Sequence, residues 1–262
     1  MVRSETKPGE PRPAPADHRF ASLTYDDFRK LALDPSLSCY EKVGFPDPYR
    51  AGKDEAIFQD VLGKLTALGG RRKTVLDVGP GCSRLAHLLV EQCERQGHAL
   101  LLIDSPEMLA HLPDRPFIRK LPGYFPRCEA FLSEYANRVD AVLTYSVAHY
   151  AFVECSIFDF VDRALMLLAP GGELLIGDVP NVSMRKRFFS SAAGVEFHQR
   201  FVGRAERPAV AFNQPEPGKI DDSVVLALLL RARLAGYDSY VLPQGADLPM
   251  SNRREDLLIR RP

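Results

Sequence analysis

The sequence predicts an α/β fold, a doubly wound sheet with helices on both faces, and three observations carry that expectation. From residue 73 onward, short β-branched apolar runs alternate with segments of helical period. The first of these runs, Thr74 to Val78, passes directly into the turn Asp77-Val-Gly-Pro-Gly-Cys-Ser83, and Leu85, Leu88 and Leu89 then follow at helical spacing. Acids also stand where later apolar runs stop, at Asp104 after Ala99 to Ile103 and at Asp178 after Glu173 to Ile176.

The elements follow in order. Residues 1–20 carry Pro8, Pro11, Pro13 and Pro15 and no apolar core, and they read as a disordered tail rather than a signal peptide. Residues 21–70 read as an N-terminal helical cap, either a structural collar or a lid. Thr24 and Asp27 resemble a capping pair, Asp34-Pro35 ends that helix, and a second runs from Asp54 to Leu68 before Gly69-Gly70. The sheet then begins with Thr74 to Val78, a helix from Ser83 to Gln96 and a strand from Ala99 to Ile103. A short helix opens at Pro106, a weak strand lies near Phe117 to Leu121, and a helix reaches about Tyr135. Val139 to Tyr145 is the fourth strand, Glu154 to Leu168 a helix, and Glu173 to Ile176 the fifth strand. Residues 179–220 break the rhythm and read as a long irregular insertion on the substrate side. The helix Val224 to Ala235 is apolar almost all round, which predicts burial. Two strands close the chain, Tyr237 to Leu242 and Asp256 to Arg260.

Composition excludes several function classes. The 262 residues hold 34 basic and 34 acidic side chains, a balance that argues against a polyanion binder, so no nucleic-acid partner is expected. Five scattered cysteines without Cys-x-x-Cys spacing give neither a disulfide framework nor a metal knuckle. No apolar run is long enough to span a membrane. The expectation is a cytoplasmic protein without a metal.

The glycine turn gives the chemistry its starting point. A strand, a glycine turn and a helix place backbone N–H groups and a positive helix end around a cavity. A dinucleotide cradle needs Gly-x-Gly-x-x-Gly, but after Gly79 and Gly81 the third position is Arg84, and no phosphate loop is present. A carboxylate at Asp104 can accept both ribose hydroxyls, unless it merely caps the helix at Pro106. A ribose-bearing ligand without phosphates fits this pattern better than a dinucleotide.

Four stretches in sequence, Leu76-Asp-Val-Gly-Pro-Gly81, Leu102-Ile-Asp104, Val139-Asp-Ala-Val-Leu-Thr-Tyr145 and Leu168-Ala-Pro-Gly-Gly-Glu-Leu-Leu-Ile176, resemble the successive motifs of class I S-adenosylmethionine-dependent methyltransferases over roughly residues 55–180. The resemblance implies a Rossmann-like seven-stranded sheet with its last strand antiparallel, a methyltransferase domain over residues 71–262, and S-adenosylmethionine as cofactor. It further implies that Asp77, Gly79, Pro80 and Gly81 meet the methionine part and Asp104 the ribose. Ser105 and Met108 would lie by the adenosine, and Tyr145 and Ser146 beside the methyl group. Ser83 stands where the family commonly has a third glycine. Tyr124 or Phe125 either covers the adenine or packs under the sheet.

Methyl transfer to oxygen usually needs a base. His149 is the first candidate, as base or as an orienting group, and Asp178 the second. His198 is a third. The segments around Asn181 to Phe189, Asp221-Asp222 and Leu248 to Asp256 resemble methyltransferases of bacterial surface-glycan and sugar pathways. That resemblance implies a sugar hydroxyl as acceptor, with Tyr150, Asn181, Arg185, His198 and Arg253 touching it and Arg187 and Arg254 also available to an anion. The alternatives are a nucleic-acid or protein methyltransferase and a non-catalytic S-adenosylmethionine-binding partner subunit.

Overall fold

The computed structural model describes residue 20 and residues 22–262. The tail expected over residues 1–20 falls outside the described residues except for its last position. Among the described residues four α-helices precede the sheet: α1 (Tyr25–Leu33), α2 (Cys39–Lys42), α3 (Asp47–Arg50) and α4 (Asp54–Lys64), followed by a 3-10 turn at Thr66–Gly69. Thr24 and Asp27 form the expected capping box, each side chain serving the other residue's backbone N–H, and Asp34 is the C-cap.

The sheet comprises β1 (Thr74–Val78), β2 (Ala99–Asp104), β3 (Ile118–Pro122), β4 (Val139–Tyr145), β5 (Leu168–Pro180), β6 (Asp238–Pro243) and β7 (Arg254–Arg260). Their order is β3-β2-β1-β4-β5-β7-β6. Strands β1 to β5 are mutually parallel, and β7 runs antiparallel to both β5 and β6. The connecting helices are α5 (Arg84–Gln96), α6 (Pro106–Leu109), α7 (Glu129–Tyr135), α8 (Ala148–Glu154), α9 (Ile157–Leu167), α10 (Val182–Ser190), α11 (Ala192–Val202) and α12 (Asp222–Leu234). This is the doubly wound sheet, last strand antiparallel, that the motifs imply. The chain order steps from β3 back to β4 across β1, and that reversal opens a crevice beyond the carboxyl ends of β1 and β4.

Alternation along the strands fills two cores. Leu76, Val78, Val142, Leu174 and Ile176 pack with α7, α8, α9 and α12 on one face. Val75, Leu100, Leu102, Leu143 and Leu175 pack with α4 and α5 on the other. Asp77 follows the parity of Val75, so the strand period carries its carboxyl toward the α5 side of the crevice.

Three expectations need correction. The helix expected from Glu154 to Leu168 is α9, which starts at Ile157 because the Ser156 hydroxyl caps it by accepting from the Asp159 N–H, and a separate helix, α8, that was not expected lies just before it. The expected irregular stretch 179–220 contains two helices, α10 and α11, capped by Asn181 and Ser191. They meet at Gly194, where a Cβ would strike the Phe188 carbonyl, and Phe188, Phe189, Phe197 and Phe201 stack among themselves. Helix α12 is only half buried: Val225, Leu228, Leu229 and Ala232 face the core, whereas Leu226, Leu230 and Leu234 are 62%, 57% and 81% exposed. It lies on the outer side of the sheet, so a helix apolar all round keeps one leucine stripe in solvent. Among the described residues no helix is long and apolar enough to cross a membrane.

Candidate functional site

A cavity opens at the carboxyl ends of β1, β2 and β4, and helices α1 to α4 form its far wall. Its floor is the glycine turn. Gly79 and Gly81 have φ of 71° and 61°, which favours glycine, and added Cβ atoms would sit 2.7 Å from Val147 and 2.5 Å from Val43. Close approach of the backbone to Val147 and to the cap is therefore built into these two positions. The Gly81 N–H donates to Asp104 at 3.0 Å and the Ser105 N–H donates to its other oxygen at 2.7 Å. Each carboxylate oxygen keeps a lone pair for a further donor.

The two acids are the electrostatic centre of the cavity. Burial, reinforced by the nearby Asp104 charge, pushes the Asp77 carboxyl up to about 8. Burial also raises Asp104 to about 6, against the pull of its two backbone N–H donors. Asp77 has no hydrogen-bond or ion-pair partner among the described residues, and it is only 4% exposed. An unpartnered buried carboxyl is costly, and a cationic or hydrogen-bond-donating ligand removes that cost.

The cap contributes the opposite wall. The Tyr25 hydroxyl donates to the Gly123 carbonyl, and the Tyr25 N–H donates to Glu154. Tyr25 meets Tyr124 edge-on at 5.0 Å, and Phe28 meets Tyr150 edge-on at 4.8 Å. The Tyr40 hydroxyl donates to Asp54, whose other oxygen accepts from the Leu85 N–H at the start of α5. Val43, Phe45, Arg50 and Ile57 complete the wall.

Arg50 ties this wall to the sheet. Its guanidinium pairs with Asp178 and donates to the Ser146 hydroxyl oxygen at 2.8 Å. Arg254 pairs with the same Asp178 oxygen at 2.5 Å, and the Ser146 hydroxyl donates to it as well. Asp256 accepts from the Asp178 N–H, from Gln244 and from Lys64. The Phe45 ring lies 4.1 Å from the Arg50 guanidinium carbon and 5.6 Å from that of Arg254. Ser146 and Asp178 hold φ of 61° and 59°, strained for non-glycine residues, and the shared network holds both in place.

Of the residues expected at the cofactor, Asp77, Gly79, Pro80, Gly81, Ser83, Asp104, Met108, Tyr145 and Ser146 line the cavity. Ser105 does not: it is buried, and its hydroxyl caps α6 by accepting from the Met108 N–H. Tyr124 and Phe125 both line the cavity, and Phe125 also packs edge-on against Phe160 beneath it.

The two expected catalytic groups lie outside the lining. Burial would raise the Asp178 carboxyl, but Arg254 and Arg50 outweigh it and hold it below the ordinary carboxylate range. Burial, with Arg254 adding to it, drops His149 to about 3, and its Nδ1 has no partner. His149 is thus neutral and a weak base.

Of the expected substrate contacts, Tyr150 alone lines the cavity. Asn181 is a structural cap. Its oxygen accepts from the Ser183 and Met184 N–H groups, and its amide donates to Asp222 and Glu255. Arg185 and His198 line a separate cleft between α10, α11 and the segment 208–216. Arg253 lies at the end of the β6–β7 loop beside Phe197. Sequence reasoning missed the cap residues Tyr25, Tyr40, Phe45, Arg50 and Asp54. The reading of residues 21–70 as either a collar or a lid is the only sign that this segment reaches the site.

No family model matches the sequence, and no curated protein does. Solved structures do match. A candidate S-adenosylmethionine-dependent methyltransferase from Listeria monocytogenes aligns with a TM-score of 0.52 and 18% identity, over 82% of this chain and 99% of that one. The N-methyltransferase NodS from Bradyrhizobium japonicum, solved with S-adenosylhomocysteine, aligns at 0.51 and 14% over 91% and 98%. A candidate O-methyltransferase from Nostoc punctiforme aligns at 0.51 and 13% over 93% and 71%. At such identities the likeness establishes the shared fold.

Proposed function

We propose that this protein transfers a methyl group from S-adenosylmethionine to a small molecule. One observation carries the reading: two buried acids, Asp77 unpartnered and Asp104 with open lone pairs, face one cavity over a two-glycine turn that has no phosphate-binding residue. The donor fits that cavity by charge and by hydrogen bonding. Asp77 takes its ammonium group, Asp104 takes the ribose hydroxyls, and Tyr124 and Phe125 flank the adenine. When bound, the cofactor supplies an electrophilic methyl on a sulfonium. The fold neighbours that bind this cofactor support the reading without deciding it.

The chain's own contribution is positioning and exclusion of water. Phe28, Val43, Phe45 and Ile57 cover the acceptor side, and Tyr145, Ser146 and Tyr150 face it. Asp178 is held by two arginines and His149 is neutral outside the lining, so neither acts as the base in this proposal. His149→Ala should keep near-wild-type turnover. A loss of about 100-fold or more would give the imidazole base duty after all.

The acceptor in this proposal is a small molecule whose hydroxyl gives up its proton to water as the methyl arrives, since neither His149 nor Asp178 takes it. The zero net charge supports a small molecule over a polyanion. The narrower sugar-glycan reading draws on arginines that are mostly engaged: Arg185 pairs with Glu216, Arg187 with Asp222 and Arg254 with Asp178. Methyl-labelled S-adenosylmethionine offered with sugars, phenols and hydroxy acids tests the reading. Label should move to at least one hydroxyl class. No transfer to any of them, with S-adenosylhomocysteine still bound, would favour a non-catalytic partner subunit.

A further inference from the structure

Among the described residues, Arg50 is the only basic side chain in the lining of the cavity, and it is 6% exposed. One edge of its guanidinium is used: Nη2 donates to Ser146 at 2.8 Å and pairs with Asp178. The Nε–H is buried and meets no acceptor among the described residues. A buried donor without an acceptor is costly, and more so on a charged group. Tyr145, Tyr150 and His149 also act on this guanidinium, but burial raises both phenols and lowers the imidazole, so all three are uncharged at neutral pH. Asp178 is therefore the anion that Arg50 faces, and Arg254 shares it.

Strand order puts the open donor on the acceptor side. Across the cavity the sheet runs β2-β1-β4-β5. Asp104 ends β2, and Asp77 and the glycine turn end β1, which is where the proposed methyl donor lies. Arg50 is tied beyond them, to Ser146 after β4 and to Asp178 in β5. The wall around it is aromatic. The Phe45 and Tyr145 rings lie 4.1 Å and 5.7 Å from its guanidinium carbon, and Phe28 meets Tyr150 edge-on. With His149 and Asp178 both unfit to take a proton, the attacking oxygen needs acidity of its own. We propose that the methyl acceptor is a phenol and that the Arg50 Nε–H donates to its oxygen. The O–H bond breaks with its electron pair left on oxygen, the proton goes to water, and the guanidinium holds the phenolate by a charge-assisted hydrogen bond. An alkyl hydroxyl, as on a sugar, is a far weaker acid and gains little from this seat. The link to turnover rests on the methyl-transfer reading, but the phenolate seat does not.

Binding of 4-nitrophenol tests it, followed by calorimetry and by the visible band of its phenolate, on protein alone and on protein saturated with S-adenosylhomocysteine. Wild type should bind it about tenfold or more tightly than 4-nitrotoluene and 4-nitrobenzyl alcohol, which share the nitro ring but lack an acidic hydroxyl. The bound phenol should ionise about one pH unit or more below the free one. Arg50→Lys keeps a cation for Asp178 but has no Nε–H. It should lose most of that shift while keeping its affinity for S-adenosylhomocysteine and a melting temperature near that of wild type. Equal binding of the three ring compounds by wild type, or an unshifted ionisation, overturns the proposal whatever the variant does. So does a loss of S-adenosylhomocysteine affinity in Arg50→Lys with phenol binding intact, because the donor's carboxylate then takes the Nε–H. If S-adenosylhomocysteine fails to bind wild type while the phenol results hold, the methyl-transfer reading falls and the seat stands.

Discussion

Asp77 is where the chemistry of the site is most exposed to test. Burial and the Asp104 charge push its carboxyl up to about 8 against an ordinary 3.8, so the neutral form is the one favoured by folding. A raised carboxylate contributes stability that is fully present below about 3.8 and is lost as pH rises through about 8. Asp104 repeats the pattern with its midpoint at about 6. An ammonium placed on Asp77 reverses the preference and drives the proton off. Titration of S-adenosylhomocysteine at pH 7 in buffers of different ionisation enthalpy should therefore show release of about one proton. Asp77→Asn should abolish that release, and wild type releasing none would remove the ammonium assignment.

Asp178 shows the opposite case, an acid kept charged by its neighbours. Removing that charge leaves Arg50 and Arg254 buried against each other. Asp178→Asn should cost about 3–5 kcal/mol in chemical denaturation, and a cost below about 1 kcal/mol would show that the network is not a structural clamp. The sequence displayed Asp77, Gly79, Gly81 and Asp104 because strand ends and a tight turn leave local marks. It did not display Arg50, because 128 residues separate it from Asp178 and nothing in a short proline-rich segment announces so distant a partner.

At the level of elements, periodicity located the strands and the long helices well and misjudged what covers them. Helix α12 is the clearest instance: its composition says buried, but burial depends on what the fold places opposite each face. Leu228 meets the core and Leu230 meets solvent, two positions apart on the same helix. Leu228→Ala should cost about 2–5 kcal/mol, whereas Leu230→Lys should stay within about 0.5 kcal/mol. Comparable losses at both positions would mean that the leucine stripe is covered in solution. The helices α10 and α11 were missed for a related reason. Their aromatic residues pack on one another rather than on the sheet, and Gly194 interrupts the pattern at a place where the close approach of α10 allows no side chain. Helix α8 was missed because its seven residues start with no side-chain cap to announce them.

For the whole molecule, the sheet order and the cap together explain why the cavity lies where it does. The reversal of strand order opens the crevice, the glycine turn and Asp104 furnish it, and the Arg50–Asp178–Arg254 cluster fixes the cap that walls it. The doubly wound core was readable because each strand carries its own pattern. The wall was not, since it comes from the cap and is clamped through Arg50 to Asp178 and Arg254, far away in sequence. The donor assignment rests most directly on Asp104. Calorimetric titration with S-adenosylhomocysteine should show saturable one-to-one binding to wild type. Asp104→Ala should weaken it by at least tenfold, or ~1.4 kcal/mol, as expected for charge-assisted hydrogen bonds to the ribose. Absence of binding to wild type, or an unchanged affinity in Asp104→Ala, would contradict this account.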